Sequence, residues 1–207
     1  MRRSYVWLGL VIILFACVCA LTFTDHITGF DQNVIAAVQG WETPGLTRLM
    51  EGFSWIGSTI GATLISAVAF LFLAFVLGHR KELIFFVAVV GGSALLNKVL
   101  KNTFHRERPN LHRLVEETGY SFPSGHSMAA FALYGALIYL LWRHVRSGAG
   151  KIVLVVIGSL LILCIGLSRI YLGVHYPSDV IGGYLASSVW LGLMIEFFRK
   201  WNQRLIK

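Results

Sequence analysis

The stretch GYSFPSGHSMAAFALYGALIYLLW, residues 119–142, sets a Pro-Ser-Gly-His cluster at the mouth of a run apolar enough to lie in lipid. Taken alone, the cluster has an ordinary reading. Pro and Ser start helices, Gly bends chains, and a single His at a helix start is a cap or a surface group. The run behind it has the length needed to cross a hydrocarbon core of about 30 Å, since roughly 20 helical residues span that distance.

Five further runs have the same character: 5–23, 53–77, 83–103, 152–170 and 180–198. The chain is 56% hydrophobic and 14% charged, with a mean hydropathy of +0.69, which is a membrane composition. These features predict an all-α fold: an integral-membrane bundle of six transmembrane helices, forming a single membrane-embedded domain over residues 1–207. Small residues in GGSALL and IGGYLASS allow close helix packing in lipid. The first run, 19 residues long, is read as an uncleaved span rather than a signal peptide or lipoprotein leader. Residues 24–52 are mixed, and Val34, Ile35, Val38 and Trp41 are expected on one face of a short interfacial helix after the first span. Cys17, Cys19 and Cys164 lie inside apolar runs, which fits buried thiols and neither a disulfide framework nor a metal cluster.

The net charge is +8 with a pI near 9.7. In a soluble protein that would point to nucleic acid, but no nucleic-acid motif is present and the basic residues fall between apolar runs. They report topology instead. Eleven Lys and Arg lie on the side that carries both termini, against seven on the other, so the termini are expected in the cytoplasm. Trp41, Trp55 and Trp142 read as interfacial belt residues, and His26, His79 and His144 as interfacial.

Chemistry gathers on the side opposite the termini. KNTFHRERP supplies Lys101 and Arg108, PSGH supplies Ser124, Gly125 and His126, and SRIYLGVHYPSD supplies Ser168, Arg169, His175 and Asp179. Lys101 is 20 residues from the inner anchor Lys81, His126 is 17 from Arg143, Arg169 is 18 from Lys151, and Asp179 is 20 from Arg199. Each therefore stands one hydrocarbon thickness from the inner face. Singly, Lys101 is a snorkelling lysine, Arg169 an anchor, and His175 with Asp179 a local cap. Together, two histidines, an aspartate and three long cations at one depth make an anion-handling site.

The pattern Lys101-x6-Arg108-Pro109, then Pro123-Ser124-Gly125-His126, then Ser168-Arg169-x5-His175-x3-Asp179 resembles the three-part signature of the type 2 phosphatidic acid phosphatase superfamily, which also includes bacterial acid phosphatases and vanadium haloperoxidases. Within it, the chain resembles small bacterial membrane lipid phosphatases of the phosphatidylglycerophosphatase B type. The resemblance implies that His175 is a nucleophile forming a phosphohistidine. Chemistry agrees: a neutral imidazole attacks through one nitrogen while Asp179, one helical turn away, holds the other. Lys101, Arg108 and Arg169 supply the cations that phosphoryl transfer requires. Ser124 and Gly125 are expected to offer backbone N–H groups to a phosphate at a helix N-terminus, with His126 as general acid. Ser168 is placed with the phosphate by resemblance only. His105, Arg106 and His112, on the same loop, read as solvated residues rather than head-group contacts.

The expected activity is metal-independent hydrolysis of a lipid phosphate or diphosphate at the extracytoplasmic membrane face, with no cofactor, no nucleic acid and no obligatory protein partner. A metal hydrolase with His126, His175 and Asp179 as ligands is opposed by the three cations beside them. An anion transporter predicts polar groups at mid-membrane, whereas here they crowd one end. Phosphatidylglycerophosphate, phosphatidic acid and undecaprenyl diphosphate all remain open as substrates.

Overall fold

The computed structural model describes residues 2–75, 80–110 and 112–204, and these form eight helices without a strand. In chain order they are α1 (Arg2–Leu21), α2 (Asp25–Gln39), α3 (Pro44–Gly57), α4 (Thr59–Phe75), α5 (Arg80–Phe104), α6 (Gly125–Leu141), α7 (Gly148–Tyr171) and α8 (Pro177–Arg204). His79 and Lys207 lie outside the described residues.

The segment after α1 holds two helices where one was expected. Pro44 occupies the first turn of α3, and Thr43 Oγ1 accepts the Leu46 N–H at 3.3 Å, a side-chain cap for the new helix. The expected span 53–77 is divided at Ser58. That residue is extended, and its hydroxyl accepts the Gly61 N–H at 3.1 Å, capping α4 as a separate helix. The two helices meet at 58°. On α2, Ile35 and Val38 are buried against Tyr171, Leu172 and Val174, while Trp41 stands beyond the helix end and is exposed. It therefore does not share the buried face.

α5, α7 and α8 are each long and apolar enough to cross a membrane, and α3 with α4 qualifies as a bent pair. α1 and α6 are apolar over 17 residues each (Tyr5–Leu21 and Gly125–Leu141), at the short end of the spanning range. A count of six spans rests on taking both as crossing.

α6 is the central helix, packed against α5, α7 and α8. Ala130, Ala132, Leu133, Ala136 and Leu140 are buried with Phe85, Phe86 and Val89 of α5 and Leu191 of α8. Gly183 lets α8 approach the start of α6: a Cβ there would stand 2.9 Å from the Ser124 carbonyl oxygen. Inside this contact Ser187 Oγ donates to the Met128 carbonyl at 2.9 Å and pairs with Ser93 Oγ at 3.0 Å, joining α8, α6 and α5. With apolar surroundings on both sides, such polar links add specificity to a packing that small residues permit.

This packing brings the C-terminus of α5, the N-terminus of α6, the C-terminus of α7 and the N-terminus of α8 to one end of the bundle. The 105–124 connection folds over that end, with Leu114 N–H bonded to the Leu172 carbonyl at 3.0 Å. At the other end, Trp142 carries Lys151 over its ring at 5.1 Å, and buried Glu82 pairs with Arg143.

Candidate active site

The α7–α8 turn sets the central histidine. Gly173 has φ +73°, and a Cβ there would lie 2.0 Å from the His112 carbonyl oxygen, so the tight turn against the 105–124 connection requires glycine. The Val174 and His175 N–H groups return to the Arg169 carbonyl at 3.2 and 3.3 Å. Pro177 then opens α8, and Asp179 follows in its first turn.

His175 is almost wholly buried, at 1% exposure. Its Nδ1 faces Asp179 Oδ2 at 3.4 Å and Ser121 Oγ at 3.4 Å. Its Nε2 faces Arg108 Nη1 at 3.1 Å. A proton on Nδ1, directed at the carboxylate, leaves the Nε2 lone pair towards the guanidinium. Burial pushes the imidazole down to about 4, against the opposing pull of the hydrogen bond and charge of Asp179. Asp179 Oδ2 also accepts from the Tyr176 N–H at 2.8 Å and from the Ser121 hydroxyl.

Arg108 is held by carbonyl groups on three sides, donating to Val174 at 2.9 Å, to Gly119 at 3.0 Å and to Thr118 at 3.0 Å. Burial holds it below the usual guanidinium range, with Glu117 and Asp179 opposing, yet an arginine so placed remains a cation. Arg169 is 2% exposed; Nη2 donates to Glu117 Oε1 at 2.6 Å and Nη1 to Ser54 Oγ. Its buried Nε–H has no hydrogen-bond partner. A buried guanidinium donor left open beside a cavity is a ready place for an anion oxygen.

A cavity of about 480 Å³ reaches this cluster, and Lys101, Arg108, Gly125, His126 and His175 line its polar end. It continues along α4 and α5 to Ser66 and Val90. Val90 lies 11 residues from Lys101 on α5, so the slot runs for roughly 16 Å of helix. A second space of about 470 Å³ lies towards α3 and the connection, lined by Glu51, Ser54, Glu116 and Arg169. His126 and Glu117 line both spaces.

The structure thus gathers Lys101, Arg108, Gly125, His126, Arg169, His175 and Asp179 from three separate stretches of chain. Two expected phosphate contacts are engaged elsewhere. The Ser124 N–H donates to the Asp179 carbonyl at 3.0 Å, and Ser124 Oγ caps α6 by accepting from Ser127 N–H at 3.4 Å, so Ser124 braces α6 against α8. Ser168 Oγ donates back to the Ile165 carbonyl at 2.7 Å within α7, and Ser168 lines neither space. The helix ladder offers that hydroxyl a nearer acceptor than the site does.

Three participants escaped the sequence reading. Glu117 bridges Arg169 and Arg108, the latter at 3.4 Å. Ser121 supports Asp179. Arg106, expected in solvent, has a side chain only 11% exposed and pairs with Asp179 Oδ1 at 2.6 Å and Asp31 Oδ2 at 2.9 Å. Its loop neighbours do behave as solvated groups: His105 and His112 are exposed, and His112 pairs with Glu42 at 2.9 Å.

Residues 82–203, which carry all three stretches of the site, match the family model of the PAP2 superfamily. The chain belongs to the PAP2 superfamily. Phosphatidylglycerophosphatase B of Bacillus subtilis (strain 168) is 33% identical over 199 residues, covering 94% of each chain. An undecaprenyl-diphosphatase of Sulfolobus acidocaldarius is 28% identical over 202 residues, covering 94% of this chain and 91% of its own. The crystal structure of a transmembrane PAP2 type phosphatidylglycerolphosphate phosphatase from Bacillus subtilis superposes with a TM-score of 0.85 at 30% identity, covering 93% of this chain and 96% of that one. The PAP2 membrane fold therefore extends through α1 to α4, beyond the region matched by the family model.

Proposed function

We propose that this PAP2 protein hydrolyses a phosphate monoester or diphosphate carried by a membrane lipid, through a phosphohistidine on His175. The observation that carries the reading is the His175 imidazole, supported by Asp179 on its Nδ1 side and turned on its Nε2 side to Arg108 and a cavity that is charged at one end and lined beyond it by small residues, Ala62, Val90 and Ala94 among the hydroxyls of Thr63, Ser66 and Ser93. The names of its relatives, a phosphatidylglycerophosphatase and an undecaprenyl-diphosphatase, support lipid phosphates as the substrate class.

The phosphate enters where the two spaces adjoin at His126 and Glu117, with Lys101 and Arg108 on the first side, Arg169 on the second, and the open Nε–H of Arg169 as one donor. Nε2 of His175 attacks phosphorus; the N–P bond forms as the bond to the lipid oxygen breaks. His126 supplies the proton that the leaving oxygen takes up, and the Nδ1–H of the resulting imidazolium is held by Asp179. Water, deprotonated by His126, then cleaves the N–P bond, releasing phosphate and restoring the free imidazole. The cations carry the negative charge of the equatorial oxygens throughout, so positioning and electrostatics do most of the work. No step requires a metal ion. Arg108, 3.1 Å from Nε2, would repel a divalent cation from that nitrogen.

The slot between α4 and α5 suits an acyl or polyprenyl chain entering from the bilayer, its head at Lys101. The 11-to-7 split of Lys and Arg supports a site at the extracytoplasmic face. The test is phosphate release by detergent-purified protein from phosphatidic acid, phosphatidylglycerophosphate and undecaprenyl diphosphate, in EDTA, with His175→Ala as control. Release from at least one lipid by wild type and from none by the variant is the expected result. Activity that disappears in EDTA and returns with a divalent ion, or that persists in His175→Ala, would contradict it.

A further inference from the structure

Asp31 lies on α2, far from the three stretches that form the site, yet it is fully buried. Its Oδ1 accepts the Ser178 N–H at 2.9 Å and its Oδ2 the Ser178 hydroxyl at 2.6 Å, which makes it a cap for the first turn of α8 supplied by another helix. Arg106 closes the circuit. Nη2 donates to Asp31 at 2.9 Å, and Nη1 donates both to Ser178 Oγ at 2.8 Å and to Asp179 Oδ1 at 2.6 Å. The guanidinium lies over the Tyr176 ring, 4.1 Å from its centroid.

From this geometry we infer that Arg106, clamped by Asp31, is a positioning residue for the Asp179–His175 pair. The inference rests on the phosphohistidine reading. Asp179 has two oxygens with different tasks. Oδ2 serves Ser121, the Tyr176 N–H and His175, while Oδ1 is held by Arg106. A fork fixed at its other prong by Asp31 prevents the carboxylate from rotating Oδ2 away from Nδ1. Charge fits the same role. Two buried carboxylates share one guanidinium, leaving one negative charge to meet the positive charge that forms on His175 during attack. Arg106 lines neither space at the site, so it acts through Asp179 rather than on substrate.

The test is steady-state hydrolysis of phosphatidic acid in detergent micelles by the full chain and by Arg106→Met, Arg106→Lys, Asp31→Asn and the Asp31→Asn/Arg106→Met double variant. Arg106→Met should lower kcat roughly 30-fold with KM within about twofold, the size usual for a group that orients a catalytic side chain. Arg106→Lys should recover part of the loss, because its ammonium still reaches one carboxylate but not two. Asp31→Asn should lower kcat by about fivefold, and the double variant should be no slower than Arg106→Met, as expected for one coupled unit. A raised KM with unchanged kcat would place Arg106 on the substrate and overturn the inference, as would wild-type kcat in Arg106→Met or additive losses in the double variant. If Arg106→Met does not yield folded protein, Arg106→Lys and Asp31→Asn carry the same kcat-against-KM test. If wild type does not turn over phosphatidic acid, the same series is run on phosphatidylglycerophosphate and undecaprenyl diphosphate; absence of turnover on all three would sink the phosphatase reading and this inference with it, whereas turnover in wild type that Arg106→Met retains sinks this inference alone.

Discussion

Glu117 accepts a hydrogen bond from Arg169 at 2.6 Å and turns its other oxygen towards Arg108 at 3.4 Å. On the proposed mechanism these are the two guanidinium groups that receive the phosphate. A partly exposed carboxylate thus sits across the cations that an incoming anion needs, and it belongs to the connection that covers the site.

Substituting Glu117→Gln removes the competing charge and keeps the shape. Inorganic phosphate, as product inhibitor, should then bind roughly five- to tenfold more tightly, the order of 1 kcal/mol for a partly solvated pair. An inhibition constant unchanged or raised in the variant would show that Glu117 orders the arginines more than it competes with phosphate.

The acid limb of activity should lie far below that of a solvated histidine. Attack needs neutral His175, and burial brings that imidazole from 6.5 down to about 4. A lowered value means that the neutral form persists as pH falls, so kcat/KM should hold its plateau through pH 6 to 5 and drop only as pH passes through about 4. A profile halved near pH 6.5 would mean either that a different group limits the rate or that His175 is hydrated in the working enzyme.

The orientation has its own test. A reporter active only outside the cytoplasm should work when fused after Glu117 and fail after Arg146 or Lys207. The opposite pattern would move the site to the cytoplasmic face.

Much of the site was legible because membrane helices impose a ruler. Lys101, His126, Arg169 and Asp179 each lie a bilayer thickness from a basic residue at the opposite end, and that spacing alone brings them to one level. What the ruler cannot give is direction within a loop. Arg106 and Arg108 are two residues apart in an irregular stretch, and only the tertiary path shows that one faces Asp179 from behind while the other faces His175. Asp31 was hidden for a related reason: a single acid on an amphipathic helix reads as solvated until α8 is seen to begin against it. The break at Ser58 was missed because one serine inside an apolar run carries little signal, although its hydroxyl caps the next helix. Ser124 and Ser168 illustrate the converse. Their residue types suit a phosphate, but backbone groups nearby engage the Ser124 N–H and the Ser168 hydroxyl first.

The central claim is that His175 carries the phosphoryl group. Rapid-quench labelling with lipid bearing radioactive phosphate, on detergent-purified wild type, His175→Ala, His126→Ala and Asp179→Asn, tests it directly. Wild type should give an acid-labile, base-stable phosphoenzyme, and His175→Ala none. His126→Ala should still form the adduct, and should lose far more rate on an alkyl lipid phosphate than on an aryl phosphate, whose leaving oxygen needs less help from a proton. Asp179→Asn should label slowly with substrate binding retained, because the imidazole is no longer held. Label surviving in His175→Ala at the wild-type level would contradict the account, and direct attack by water or by another side chain would have to replace it.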